Sequence, residues 1–476
     1  MDTLMDRLLD DFYRERLFLY QVLMIYEMDV SKKEIADQLV VSETKITKLC
    51  NDLSNDILSA NLDSKITYRI KDTVYGENFS QLDYQELRRI YFEKSMASSL
   101  LMRVGFLKTL TIQEFAKVSF ISKSKAYAIS KELNEVLGTW NIQLKSSGFS
   151  GKEKDIRSFC FQVIFYFYSS HMEALPAAIA KNDSLIHQFI NSLQIVYHTT
   201  FTYNQYAQLQ VLLEIQWFRL TKGEVIDLSD DYKMNTSFLP IFKKIYQSDH
   251  SLLEESIRKE ANYLFLYLTL NNYITDIAIP IGETETFSLF IREMTAKFPT
   301  FYDIVSRDTI RKIQKLCFRW EYLSFSLASF MTLDQFDYFK QSYPMLHEAV
   351  YDFVLAADRI RTGGLLVYEK AHLYYDFLFC LLSDKAIQAL ERKVHVFIDF
   401  SGGEDYNQFL TMNIQSFDYL DIVVDKKVTA STDIYVSDFF NSKVRCEQII
   451  WKNPPLAHDW KEFADKVIRV RGNRAD

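Results

Sequence analysis

The sequence is poor in residues that interrupt regular structure. Its 476 residues include 12 glycines and 7 prolines, well below the usual shares of about 7% and 5%. Few chain breakers and an aromatic content of 15% favour long helices packed through large side chains. We therefore expect a mainly α-helical protein, and its length predicts several domains, since one ordinary domain takes about 150 residues.

Cysteines and long apolar runs are also scarce. The five cysteines lie far apart, without the close pairs that begin zinc sites, and their odd number suits no disulfide framework. Apolar runs such as "CFQVIFYFY" (160–168) stop well short of the ~20 residues that span a bilayer. The N-terminus has an acid at its second residue and no cationic lead. These features predict a cytoplasmic protein with reduced thiols, no signal peptide and no membrane contact.

Signs of catalysis are missing as well. The sequence shows no metal-ligand spacing, no Ser-His-Asp order and no glycine pattern for nucleotide binding. We therefore predict that the protein is not an enzyme, with no catalytic residues, no metal and no cofactor.

A surplus of positive charge is absent overall, because the net charge is -8. The charge is unevenly spread. Residues 1–160 hold 23 basic and 23 acidic side chains, and the remainder holds 32 basic and 40 acidic ones. Residues 103–131 contain six basic side chains and a single acid, Glu114. Such a local cluster is what contacts to nucleic-acid phosphates require.

An internal repeat at an offset of eighty residues organises the N-terminal third. The segment "SKKEIADQLVVSETKITKLCNDL" (31–53) aligns without a gap with "TIQEFAKVSFISKSKAYAISKEL" (111–133). Each copy predicts a helix-turn-helix: a capped first helix with a small Ala at the crossing, a turn ending in a Ser, and a second amphipathic helix. Hydroxyls and amides on the outer face could reach base edges while lysines meet phosphates. The candidate DNA-contacting residues are Thr44, Lys45, Thr47, Lys48 and Asn51 in the first copy and Lys123, Ser124, Lys125, Tyr127 and Lys131 in the second.

A hairpin pattern follows each copy, "KITYRIKDTVYGEN" at 65–78 and "WNIQLKSSGFSGKE" at 140–153, and these predict wings. One lysine-bearing amphipathic helix alone could be an ordinary solvated surface helix. Two copies in register, each followed by a predicted wing, favour winged helix-turn-helix domains that bind double-stranded DNA.

The stretch "GKEKDIRSF" (151–159) after the second wing supplies a G-x-E-x-x-I-R motif. With two preceding helix-turn-helix units and about 300 following residues, the chain resembles the Mga-like regulators of Gram-positive bacteria over its full length. The resemblance implies a DNA-binding global transcriptional regulator that acts as a homodimer or larger homo-oligomer. Activation is expected over repression. It also implies five domains: winged helix-turn-helix domains at 1–77 and 78–160, phosphotransferase-system regulation domains at 161–282 and 283–391, and an enzyme IIB-like α/β domain at 392–476.

Regulation domains of this type are helical bundles that phosphocarrier proteins can phosphorylate on histidine. Here "LLEIQWFRLTKG" keeps Arg219 and Gly223 of the usual pattern, with Leu212 in the histidine position. Likewise "EANYLFLY" keeps Glu260 and Tyr263, with Tyr267 in the histidine position. The first regulation domain therefore lacks both standard phosphoacceptors. Among the remaining histidines, the preferred candidates for phosphorylation are His198, His347 and His372, each of which could instead be a packed or surface residue.

The C-terminal residues alternate strand and helix patterns. "KVHVFIDF", "YLDIVV", "DIYVS" and "QIIW" read as strands, and a closing helix follows from about His458, so we expect a mostly parallel sheet. The loop "DFSGGED" (399–405) lies where enzyme IIB carries its reactive Cys and has none. This predicts docking or dimerisation rather than phosphotransfer. Two rival functions stay open from the sequence: a component of the phosphotransferase system, and a scaffold that uses its helix-turn-helix units for protein contacts.

Overall fold

The computed structural model describes residues 4–26, 29–68, 72–168, 179, 183–226, 237–244, 253–275, 284–323, 336–361, 363–417, 420–452 and 454–472. These residues are mainly helical, with a few small sheets, as the composition predicts. The chain divides into two compact units, Met1–Pro280 with Tyr322–Ser329 and Ile281–Glu321 with Phe330–Asp476. None of the described helices is both long and apolar enough to cross a membrane.

The first repeat copy lies in a helical unit with a small antiparallel sheet. The second helix of this helix-turn-helix copy buries Ile46, Leu49 and Leu53. The strands of the sheet have the order β1-β3-β2. The predicted wing is therefore present, as the hairpin β2-β3. The elements are a 3₁₀ turn at Asp6–Leu8, α1 (Asp11–Ile25), β1 (Val30–Ser31), α2 (Lys32–Leu39), α3 (Glu43–Ser59), β2 (Lys65–Tyr68) and β3 (Thr73–Glu77).

The second copy repeats this plan with a two-stranded wing, β4-β5. A π-helical segment takes the place of a regular helix end, and a Cβ added at its Gly105 would lie 2.5 Å from the Phe149 ring of the wing. The wing thus packs directly on backbone. The elements are α4 (Gln81–Lys94), α5 (Met96–Leu100), the π-helical segment (Leu101–Phe106), α6 (Ile112–Val118), α7 (Lys123–Leu137), a 3₁₀ turn at Gly138–Trp140, β4 (Gln143–Lys145) and β5 (Gly148–Ser150).

The remainder of the first unit is helical. Its helices pack through large apolar side chains, and Phe167 stacks on Phe92 of α4 with ring centroids 4.0 Å apart. Aromatic side chains therefore pack these helices against the second helix-turn-helix unit. The helices are α8 (Glu153–Tyr168), α9 (Asp183–Val196), α10 (Tyr203–Thr221), α11 (Phe238–Lys243) and α12 (Glu254–Leu270).

The second unit begins with a helical bundle. Phe290, Phe353 and Phe377 meet in its core with centroid separations of 4.8–5.1 Å. The helices are α13 (Glu285–Lys297), α14 (Phe301–Ile304), α15 (Arg307–Tyr322), α16 (Phe336–Ser342), α17 (Pro344–Ile360), α18 (Val367–Leu382) and α19 (Lys385–Gln388).

The unit ends in a four-stranded parallel sheet of order β7-β6-β8-β9. All four predicted strands are present, and the apolar residues Val396, Ile434 and Val436 line its core. The elements are β6 (Val394–Asp399), α20 (Glu404–Gln415), β7 (Ile422–Val424), β8 (Ile434–Ser437), β9 (Glu447–Ile450) and α21 (Ala457–Gly472).

Candidate nucleic-acid interface

The two helix-turn-helix copies begin with the same hydrogen bonds. Ser31 and Glu34 form a reciprocal capping box at the start of α2, and Thr111 and Glu114 form the same box at the start of α6. In each box, side chains accept hydrogen bonds from two backbone N–H groups that have no partner within the helix. Local sequence alone therefore fixes where these first helices begin.

The second helix of each copy begins at a serine. The Ser42 Oγ accepts from the Lys45 N–H at 3.3 Å, and the Ser122 Oγ accepts from the Lys125 N–H at 3.1 Å. Ala36 and Ala116 are buried where the two helices of each copy meet. The predicted helix-turn-helix geometry is present twice, eighty residues apart.

The predicted contact residues of the first copy lie on the solvent side of α3. Thr44, Lys45, Lys48 and Asn51 are exposed, and Thr47 is half-buried. Lys45, however, forms an ion pair with Glu15 of α1. No local pattern predicts this pair, because Glu15 lies thirty positions away from Lys45.

Acids surround this first recognition helix. Arg16 of α1 binds Asp52 at 2.9 Å and Asp56 at 2.7 Å, which ties the C-terminal half of α3 to α1. The N-terminal turn carries Glu43. The positive charge that α3 can offer to a polyanion is therefore small.

The predicted contact residues of the second copy are all exposed on α7: Lys123, Ser124, Lys125, Tyr127 and Lys131. Residues 115–131 contain four lysines, including Lys117, and no acid. Among the described residues no ion pair is formed by any of these four. The first nine residues of α7 thus present positive charge to solvent, and the exposed acids Glu132 and Glu135 follow on the same helix.

Two further basic residues of the second copy, Lys108 and Lys145, differ in what they face. Lys108, which belongs to the basic cluster of the sequence, forms an ion pair with Glu224 and so points to the helical region rather than to solvent. Lys145 in the second wing is exposed. Sequence reasoning did not single out Lys145, although the alternation in "NIQLK" places it on the same strand face as Gln143.

The G-x-E-x-x-I-R motif lies in a buried charge network. Arg157 donates to both carboxylate oxygens of Glu260, at 2.5 and 2.8 Å, and to Glu153 at 2.9 Å. Arg219 donates to both oxygens of Glu153, at 2.9 and 2.7 Å. Burial opposes the charge of Arg157, but Glu260 and Glu153 hold its pKa above the ordinary arginine value. The network joins α8, α10 and α12.

The glycine of the G-x-E-x-x-I-R motif, Gly151, is required for steric reasons. A Cβ at Gly151 would lie 2.8 Å from Ile142 Cγ2 and 3.0 Å from the Asn141 carbonyl oxygen. Only glycine lets the chain pass so close between the second wing and α8.

The three candidate histidines differ in accessibility. His198 is exposed, in a left-handed turn with φ of 50° just after α9. His347 is buried, its Nδ1 lies 2.7 Å from the Tyr374 hydroxyl, and burial together with Lys340 lowers its pKa to about 4. His372 is buried on α18.

The loop after β6 contains acids and backbone-bound serine but no cysteine. Ser401 donates its backbone N–H to Asp438 at 3.2 Å, and its hydroxyl bonds to the same carboxylate. The Ser401 hydroxyl lowers the pKa of Asp438 from its usual value. Among the described residues, no group of three His, Cys, Asp or Glu side chains could hold a metal ion.

Comparison with known families identifies one segment. Residues 80–166 match the family model described as the Mga helix-turn-helix domain, a span that begins just before α4 and ends within α8. Comparison with curated proteins gives no match. The matched span contains α6, α7, the second wing, the half-buried Glu153 and the buried Arg157. Residues 80–166 thus form a helix-turn-helix domain of the Mga type, which confirms over this segment the resemblance to Mga-like regulators that the sequence indicates.

Proposed function

We propose that the protein is a cytoplasmic transcription regulator that binds double-stranded DNA through both helix-turn-helix copies. The observation that carries the proposal is the exposed, lysine-bearing face of α7 within the segment that matches the Mga domain. Phosphate contacts supply most of the affinity of such proteins, and they require accessible Lys or Arg side chains.

The two copies contribute unequally in this proposal. On α7, Lys123, Lys125 and Lys131 are free of acidic partners among the described residues, whereas Lys45 on α3 is held by Glu15. The second copy therefore supplies the larger share of the attraction, and the first copy mainly sets orientation. Neither recognition helix carries an arginine for bidentate contact with guanine, so DNA shape contributes to selectivity.

The test is salt-dependent binding to duplex DNA by the double variant Lys123→Ala/Lys125→Ala. The plot of log binding constant against log salt should lose a slope of about 0.9 for each lysine that meets a phosphate. The matched control is Lys45→Ala, which should change the slope less because Glu15 already neutralises that lysine. An unchanged slope in the double variant would remove α7 from the interface.

We further propose that phosphocarrier proteins of the phosphotransferase system phosphorylate the chain on a histidine. A neutral imidazole can accept a phosphoryl group, and the charge of about -2 that it then carries can reorganise a helical interface. His198 ranks first because its ring is exposed, whereas His347 and His372 would need local opening to receive the group.

Incubation with the phosphocarriers and labelled phosphoenolpyruvate tests this second proposal. We expect label on the wild type and a strong loss of label in His198→Ala, with His187→Ala as the matched control on the preceding helix. Label that persists fully in His198→Ala would show that another histidine is phosphorylated.

The C-terminal parallel sheet supports the proposal of an enzyme IIB-like domain that serves homodimerisation or docking. Its loop at 399–405 holds no cysteine, and the Ser401 bonds to Asp438 place a carboxylate at that loop. A carboxylate there repels phosphate, so phosphotransfer by this domain is not part of the proposal. Activation rather than repression is inferred from the resemblance alone.

A further inference from the structure

The turns of the two helix-turn-helix copies share an unusual backbone geometry. In the second copy the Ile121 N–H bonds to the Ala116 carbonyl and the Phe120 N–H to the Lys117 carbonyl. In the first copy the Val41 N–H bonds to the Ala36 carbonyl and the Val40 N–H to the Asp37 carbonyl. Each set is a Schellman motif, in which one residue must adopt the left-handed conformation.

The residues in that left-handed position are not the usual ones. Val40 has a φ of 55° and Phe120 a φ of 54°, whereas glycine or asparagine normally takes this place. The same chain uses asparagine in the Schellman motifs after α3 and after the 3₁₀ turn that follows α7, at Asn61 and Asn141. Among the described non-glycine residues with positive φ, only Val40 and Phe120 are apolar.

Burial does not account for these side chains. Phe120 is 96% exposed and Val40 is 89% exposed, so neither contributes to a core. A bulky apolar residue in a left-handed conformation is strained, and its exposure to water adds nothing favourable. The combination occurs at the same position of both copies, which points to a contact made outside the chain.

We propose that Phe120 makes an apolar contact with thymine methyl groups in the DNA major groove, and that Val40 makes the weaker equivalent contact. This inference rests on the proposed DNA binding. Phe120 lies three residues before Lys123, the first residue of α7, and the start of a recognition helix is the part that meets base edges. Phenyl and methyl groups pack well together, and the C5 methyl of thymine is exposed in the major groove.

The surroundings favour DNA over an apolar protein partner. Lys117, Lys123 and Lys125 flank Phe120 in sequence and all three are exposed. A phenyl group with exposed lysines three residues before it and three and five residues after it suits a surface that is anionic at its edges and apolar at one point, as the major groove is at a thymine. Around Val40 the charges of Asp37 and Glu43 oppose such a surface, so the first contact should be weaker.

The first test is the full-length variant Phe120→Asn, with Val40→Asn as the matched variant. Asparagine tolerates the left-handed turn, as at Asn141, so the melting temperature should stay the same or rise. Affinity for an A·T-rich duplex of 40 base pairs should nevertheless fall roughly tenfold or more for Phe120→Asn, because apolar burial is lost, and less for Val40→Asn. Phe120→Gly serves as a second variant with an unstrained turn and should behave alike.

The second test replaces thymine by uracil throughout the same duplex, which removes only the C5 methyl groups. Wild-type affinity should fall by about fourfold for each methyl group contacted, and the affinity of Phe120→Asn should fall less. Full wild-type affinity in Phe120→Asn and Phe120→Gly would overturn the inference, as would an equal uracil effect in wild type and variant. Absence of any duplex binding by the wild type at low salt would instead overturn the proposed function.

Discussion

Arg157 and Glu260 form a fully buried ion pair. Burying the two charges costs desolvation free energy, and removing one of them lowers the free energy of unfolding. The two side chains are 1% and 0% exposed. Taking two charges out of water offsets most of their attraction, so such a pair adds little net stability over apolar residues of the same size. Removing Glu260 is different, because the buried Arg157 would then share the single carboxylate of Glu153 with Arg219.

Glu260→Gln should therefore destabilise the first unit strongly. The substitution keeps the shape and removes the charge that faces Arg157, and losses of about 3–5 kcal/mol follow the removal of one partner of a buried pair. Urea unfolding followed by far-ultraviolet circular dichroism would measure the change. The matched control on the same helix is Glu255→Gln. Its exposed carboxylate pairs with the half-buried Lys259, and this pair should contribute less than about 0.5 kcal/mol. Equal unfolding midpoints for the two variants would contradict this account of the network.

At the scale of elements, the two recognition helices show how similar local sequence gives similar structure but different chemistry. Both begin after a serine N-cap, at Ser42 and Ser122, and both follow a first helix with a capping box. These signals are local and need no tertiary contact. The charge that each helix offers depends on its neighbours, because α1 supplies Glu15 to α3 and no described acid pairs with the lysines of α7.

The start of α7 offers a prediction at this scale. Ser122→Ala should cost about 1 kcal/mol of stability, because the Lys125 N–H loses its acceptor, whereas Ser122→Gly should cost only a few tenths. Thermal unfolding of the second helix-turn-helix region would rank wild type, Gly and Ala in that order. Ser122→Asp should retain the cap, and an Ala variant as stable as the Asp variant would argue against capping as the source of the helix start.

At the scale of the whole molecule, the acidic net charge and the proposed DNA binding are compatible. The first 160 residues are neutral in sum, and the surplus of acids lies in the remaining 316. A polyanion is attracted by the local field of exposed lysines, which salt screens within a Debye length of about 10 Å. Glu224 from that remainder pairs with Lys108, but none of the described acids forms an ion pair with Lys123, Lys125 or Lys131 of α7.

Much of the architecture could be predicted because its signals are short-range. Capping residues, amphipathic spacing and the repeat at eighty predicted α2, α3, α6 and α7, and alternation predicted both wings and the four parallel strands. The predicted domain boundaries and the site residues stay predictions. The predicted roles of the histidines also stay open, although their different burial now ranks them.

The sequence by itself determined which residues form the paired helix-turn-helix units, both wings and the four C-terminal strands, and which side chains face outward on the recognition helices. Those properties depend on hydrogen bonds and periodicity within a few turns. Only the tertiary structure decided which charges stay available, because Glu15 reaches Lys45 and Glu260 reaches Arg157 from distant parts of the chain. It also decided that Phe120 is strained and exposed at once, since backbone conformation and solvent exposure are set by how the turn is held between packed helices.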